Sequence, residues 1–282
     1  MAETYTIRYQ AENTYEHPVI EATWQFLIVP EENETQTGVE IRFENSAGAP
    51  WELSTNGFGF AALRVRNRYA LQQIRFEASF RLTKTPVNPF DFQGQPPPLF
   101  DPETLGELPF RIAFATFLKE TPLTCLPKDA EAFCLQPGAG LLENLQALNT
   151  WVYQTLQYTP GVTHVGTTLK EILDMRKGVC QDFSHLFIGI ARRYGVPARY
   201  VSGYLHQGRG FFGDAQMHAW AEAWLPGLGW VGFDPTNNLL AATDHIKVAH
   251  GRDYEDCAPI KGILFGPGSN ESRHAVEVQS QQ

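Results

Sequence analysis

The chain has 282 residues, 43% of them apolar and 12% aromatic, enough to bury a sizeable core in one large or two ordinary domains. Its 22 Lys and Arg against 31 Asp and Glu leave a formal charge of −9, which repels polyanions and argues against nucleic acid as a partner. No apolar stretch reaches the roughly 18 residues of a spanning helix, so no membrane partner is expected, and the opening Met1-Ala2-Glu3-Thr4-Tyr5 has no secretory pattern. The expected location is cytoplasmic.

From residue 5 to about 84 apolar residues recur with period two: Tyr5, Ile7 and Tyr9; Trp24, Phe26 and Ile28; Val39, Ile41 and Phe43; Phe76, Ala78, Phe80 and Leu82. Such alternation turns one face to a core and one to water, which predicts an all-β, sandwich-like N-terminal domain over residues 1–84. Seven prolines between Pro86 and Pro109, including Pro96-Pro97-Pro98, predict an extended linker over 85–109.

The period then becomes helical. Leu142, Leu145, Leu148, Val152 and Leu156 form one stripe with Trp151. A capping-box pattern, Thr168-Leu169-Lys170-Glu171, announces a second helix expected to stop at Gly178. Phe183, Phe187, Ile190, Ala191 and Tyr194 mark a third, which places Cys180 at its N-terminus. Strands follow over Ala198 to Leu205, His218 to Leu225 and Trp230 to Asp234, with a glycine-rich loop from Gln207 to Ala215 and a turn at Pro226-Gly227-Leu228-Gly229. Helices followed by strands make residues 110–265 an α+β core, and the Gln- and Ser-rich end, 266–282, reads as a frayed tail.

Four cysteines, at 125, 134, 180 and 257, show neither zinc-ribbon nor disulfide spacing. A thiol attacks only as thiolate and needs electrostatic help at neutral pH. The positive end of a helix dipole would supply part of it to Cys180, a nearby histidine would take the proton, and free helix-start amides would face a developing oxyanion. His218 opens one strand and Asp234 closes the next, so a hairpin brings both to the same end. They share a face only if the loop is odd-numbered or bulged. The bland alternative is a small buried thiol, a core histidine and a turn-opening Asp-Pro.

Tyr158-Thr159-Pro160-Gly161, Gly178-Val179-Cys180-Gln181-Asp182-Phe183-Ser184-His185 and Pro197-Ala198-Arg199-Tyr200-Val201-Ser202-Gly203-Tyr204 resemble the bacterial transglutaminase-like family of cysteine peptidases. His218-Ala219-Trp220-Ala221-Glu222 and Gly229-Trp230-Val231-Gly232-Phe233-Asp234-Pro235-Thr236-Asn237 look like its His and Asp blocks, over roughly residues 140–262 in all. The resemblance implies a papain-like core preceded by a β domain, with Cys180, His218 and Asp234 as catalytic triad. Met217 departs from the serine usual before the histidine.

Trp220 shares strand parity with His218 and is assigned to substrate binding, where it would also shield the ion pair; the alternative is a core aromatic. Asp182 reads as a structural helix-start carboxylate. The second oxyanion donor is unassigned. His245, His250, Asp253 and Asp256 lack helical ligand spacing, so no metal and no cofactor is expected, and Cys125, Cys134 and Cys257 lack a placed histidine. The expected reaction is acyl transfer from a peptide or protein substrate through a thioester, with hydrolysis favoured over amine transfer, in the absence of an acidic calcium loop. A non-catalytic scaffold is the rival reading. Oligomeric state is not legible.

Overall fold

A computed structural model describes residues 2–91, 98–128, 130, 133–206 and 216–281. Six strands open the chain: β1 (Glu3–Val19), β2 (Glu21–Phe26), β3 (Gln36–Asn45), β4 (Trp51–Thr55), β5 (Ala61–Asn67) and β6 (Leu71–Lys84). The period-two residues behave as the alternation demands: Tyr5, Ile7 and Tyr9 of β1 and Ile74, Phe76, Phe80 and Leu82 of β6 are buried. Phe76 packs against Trp24 and Phe26 with ring centroids 5.2 and 4.6 Å away. Each such ring contributes on the order of 2 to 3 kcal/mol by leaving water.

Besides shorter helical turns, the core has three helices that frame the site: α1 (Leu141–Thr155), α2 (Leu169–Met175) and α3 (Cys180–Arg193). The strands that follow are β7 (Ala198–Leu205), β8 (His218–Leu225), β9 (Gly229–Asp234), β10 (Leu239–Leu240), β11 (His245–Gly251), β12 (Ile260–Phe265) and β13 (Asn270–Gln281). Three antiparallel sheets result, ordered β13-β1-β6-β3, β12-β2-β5-β4 and β10-β9-β8-β7-β11. The third sheet carries α3 on one face, with Ala219, Ala221, Ala223 and Leu225 buried on β8. The α+β class and the β-rich N-terminal region are those expected.

Three expectations are corrected. The end of the chain is not a frayed tail: β13 pairs with β1 from Thr4↔Gln281 to Tyr15↔Asn270, and β12 pairs with β2, so the C-terminus returns to complete both sandwich sheets. An edge strand buries one side only, so its outward Arg273, Glu277 and Gln279 hide the two valines, Val276 and Val278, that mark it. The 85–109 segment is not extended throughout, because Asp101 caps a short helix, Pro102–Gly106, with proline at its start, where a missing N–H costs nothing, and Leu108–Ala113 follows. Finally, α2 stops before Gly178, at Arg176, in a left-handed conformation (φ 53°). Most of Pro96-Pro97-Pro98 and the whole loop Gln207–Ala215 lie outside the described residues.

The sandwich is pinned to the third sheet by buried polar groups. Gln36 donates to the Lys247 carbonyl at 2.9 Å and accepts from the Lys247 amide at 2.7 Å, and Tyr204 donates to the Ile28 carbonyl at 2.6 Å. Lys84 donates to the His245 carbonyl, and burial pushes its ammonium down to about 8.

A chain ending at Ser269 loses the β13 ladder and leaves that edge of β1 unpaired. The loss of at least about 2 kcal/mol expected from the valines alone lowers the melting temperature by roughly 5 °C. An unchanged melting curve would show that β13 does not support the sandwich.

Candidate active site

Cys180 is the first residue of α3, and the chain around it is built to hold that helix start. Asp182 reaches back to accept from the Val179 amide at 2.7 Å and from the Thr163 hydroxyl at 2.7 Å, half of a capping box in which Val179 offers no side-chain acceptor. A Cβ on Gly178 would lie 2.5 Å from the Asp182 carboxylate, so glycine is required there. Just upstream, Thr159 donates to the Gly178 carbonyl at 2.8 Å, tying the Tyr158-Thr159-Pro160-Gly161 segment to the helix start. Asp182 is therefore structural, as its sequence position implies. Cys180 is partly exposed, Cys257 is buried, and Cys125 and Cys134 lie at the surface.

The parity condition is met. Leu225 pairs with Gly229, leaving a loop of three residues, and continuation of that register sets Asp234 on the same side as His218. Gly227 and Gly229 take φ of 80° and 83°, the left-handed values this turn needs. His218 Nε2 lies 2.8 Å from Asp234 Oδ2, both side chains fully buried. Nδ1 is left towards Cys180 with no aligned hydrogen bond among the described atoms, although the thiol is near enough to act on the imidazole. Proximity rather than a formed bond describes that contact.

Asp234 collects five hydrogen bonds. Oδ1 accepts from the Thr236 and Asn237 amides at 3.0 and 3.2 Å, and Oδ2 accepts from His218, from Asn237 Nδ2 at 2.8 Å and from His245 Nε2 at 3.2 Å. Burial alone would raise its pKa, but His218 and these donors hold it well below the usual carboxylate range. For His218 burial works the other way, and the Asp234 charge and hydrogen bond, with help from Cys180, overcome it and raise the imidazole to about 10.

Sequence reasoning did not find His245 in this role, because it sits in no motif. Its Nδ1 accepts from the Ala242 amide at 3.2 Å, so Nε2 carries the proton and donates to Asp234. Burial keeps it neutral by lowering its pKa. Of the other residues weighed for a metal, His250 contacts Arg199 at 3.1 Å, Asp253 caps the Tyr254–Cys257 helix and Asp256 pairs with Arg252 at 2.8 Å. Among the described residues the converging ligand-type atoms are those of His218, Asp234 and His245, within 4.8 Å of one another, and hydrogen bonding accounts for that convergence.

The assignment of Trp220 to substrate is corrected. It is 2% exposed, lies beside His218 at 6.2 Å and meets His245 edge-on at 5.2 Å, so it covers the imidazoles from beneath. A Cβ on Gly203 would lie 2.6 Å from its ring, which explains the glycine opposite. Cys180 and His218 instead open on a cleft of about 230 Å³. Tyr200 and Ser202 of β7 line one side, and Tyr9, Ile260 and His274 of the sandwich line another. Tyr9 and His274 meet at 3.0 Å. The sandwich supplies none of Cys180, His218 and Asp234, yet it is part of the cleft.

A helix-start thiol facing an imidazole held by a buried carboxylate, on an antiparallel sheet, defines a Cys-His-Asp arrangement on a papain-like core. In the comparison with known proteins, residues 133–235 match the model of the Transglutaminase-like superfamily, so this segment is a transglutaminase-like domain. An uncharacterised protein of Mycobacterium leprae is 42% identical over 132 residues, 45% of this chain and 47% of its own length. A Protein-glutamine gamma-glutamyltransferase of Pseudomonas aeruginosa is 32% identical over 156 residues, 50% of this chain and 23% of its own. The chain thus spans about half the length or less of these relatives. A candidate cysteine protease from Cytophaga hutchinsonii shares the fold, with a TM-score of 0.71 at 20% identity over 100% of this chain and 92% of that one.

The raised imidazole makes a prediction about stability. Folded His218 keeps its proton up to about pH 10 while the unfolded residue loses it near 6.5, so its contribution is complete below about 6.5 and declines as pH rises. Between about pH 7 and 8 one proton corresponds to a fall of at most roughly 1.4 kcal/mol per pH unit. Urea unfolding across that window should show the decline in the native chain and its loss in His218→Gln. Equal slopes would mean that His218 is neutral in the fold.

Proposed function

We propose that the chain is a cysteine-dependent acyl-transfer enzyme that hydrolyses a peptide or amide substrate through a thioester. The observation that carries this reading is the convergence of the Cys180 thiol and the Asp234-held His218 on one open cleft. The Cys180 sulfur attacks the amide carbonyl, the His218 imidazolium gives its Nδ1 proton to the departing amine, and a thioester is left. His218 then takes a proton from water, which attacks the thioester and releases the acid. Asp234 orients the ring and stabilises its charged form.

Amine transfer is the second reading, supported by the similarity to the Pseudomonas aeruginosa gamma-glutamyltransferase. Water is the acceptor taken in the first reading; the described residues lining the cleft include no Asp or Glu that would pair with a cationic amine donor. A peptide and amide library, incubated with and without primary amines and read by mass spectrometry, separates hydrolysis from transfer. No acyl-enzyme with any donor, together with a thiol of ordinary pKa near 8.5, would instead indicate a non-catalytic binding module.

Cys180→Ala should abolish turnover, since it removes the atom that forms the thioester. Asp234→Ala should retain measurable activity, because thiol, base and helix-start amides persist. Assays of both folded variants on the substrate found by the library check this. Equal residual rates above background would mean that Cys180 is not the nucleophile.

A further inference from the structure

A carbonyl attacked by Cys180 becomes an oxyanion, and the helix start offers one clear donor to it. Cys180 is the first helical residue, so its amide has no intrahelical acceptor and is available. One amide leaves the oxyanion short of a second donor. Gln181 is committed elsewhere, its Nε2 donating to the Val165 carbonyl at 3.2 Å. Tyr200 is differently placed. It lies on β7 opposite Ala221, on the side of the sheet that α3 covers, and its ring packs 5.1 Å from His185, a little over one helical turn beyond Cys180. Tyr254 meets the ring edge-on at 6.3 Å, so the ring is held from two directions. Tyr200 is only 3% exposed, yet it lines the cleft, and its hydroxyl has no hydrogen-bond partner among the described residues. A buried phenol normally finds a partner.

We propose that the Tyr200 hydroxyl is the second oxyanion donor, a catalytic residue that completes with the Cys180 amide the hole in which the tetrahedral intermediate forms. This rests on the acyl-transfer reading above. Burial first, and then the charge of the neighbouring Cys180, raise the phenol well above its ordinary pKa, which keeps the donated proton in place at neutral pH. In the step itself the sulfur forms the C–S bond and the carbonyl π pair moves to oxygen, which accepts from both donors. Collapse restores the C=O bond and expels the leaving group with its electron pair.

The test compares two reagents for the same sulfur. p-Nitrophenyl acetate acylates it through an oxyanion and releases p-nitrophenolate; iodoacetamide alkylates it by displacing iodide, with no oxyanion. Tyr200→Phe keeps the ring and removes the hydroxyl. It should slow acylation by p-nitrophenyl acetate at least about tenfold, towards the hundredfold range seen for lost oxyanion donors, and leave alkylation within about twofold. Equal slowing of both reactions would overturn the proposal in favour of a structural role, and so would unchanged acylation. Ser202→Ala is the companion variant: if it reproduces the selective loss while Tyr200→Phe does not, the donor is Ser202 and the proposal fails. Failure of the native chain to form an acetyl-enzyme at Cys180 would instead refute the acyl-transfer reading, and a mass spectrum of the intact protein distinguishes that outcome.

Discussion

The buried carboxylate of Asp234 is the constraint around which the site is arranged. Removing a charge from water is expensive unless donors replace the lost hydration, and here five hydrogen bonds do so. Those donors come from β8, from the start of β11 and from the turn at Thr236 and Asn237, so satisfying one carboxylate also sets the relative positions of three chain segments. His218 and His245 share a single carboxylate oxygen but carry different charges, because Ala242 fixes the tautomer of one while the other faces a thiol. Similar burial yields opposite pKa shifts once the local partners differ.

The same arrangement explains why the β-sandwich belongs to the cleft. His245 is held through its carbonyl by Lys84, at the end of β6, and β11 is fastened through Lys247 to Gln36 of β3. Across this junction Tyr9 and His274 line the same cleft as Cys180. The cleft beside the thiol is thus walled partly by the first and last strands of the chain.

Much of this was legible in the sequence, and the parts that were not share a cause. The period-two alternation of β1 and β6, the capping box at Thr168 and the order Cys180, His218, Asp234 all depend on short-range pattern, which the sequence carries directly. The three-residue loop after Leu225 could be stated only as a condition, since parity depends on where pairing begins. His245, β13 and the Tyr9–His274 contact were hidden because each acts across a long separation: His274 lies 265 residues from its partner. Trp220 was misread because parity told which face it occupies, not that the face is covered by His245.

The charge on His218 raises a difficulty that the geometry also resolves. An imidazole lifted to about 10 holds its proton well, which favours a thiolate-imidazolium pair but makes a weak acid for the departing amine. Part of that lift comes from Cys180 itself. In the proposed reaction the sulfur loses its negative charge as it bonds to the carbonyl carbon, so that contribution vanishes at the moment the proton is needed. Asp234, held far below its ordinary range, does not take the proton in exchange, so in that proposed reaction the proton passes from Nδ1 to the leaving nitrogen. The neutral ring that remains lies beside an uncharged thioester, where it is free to act as base for water.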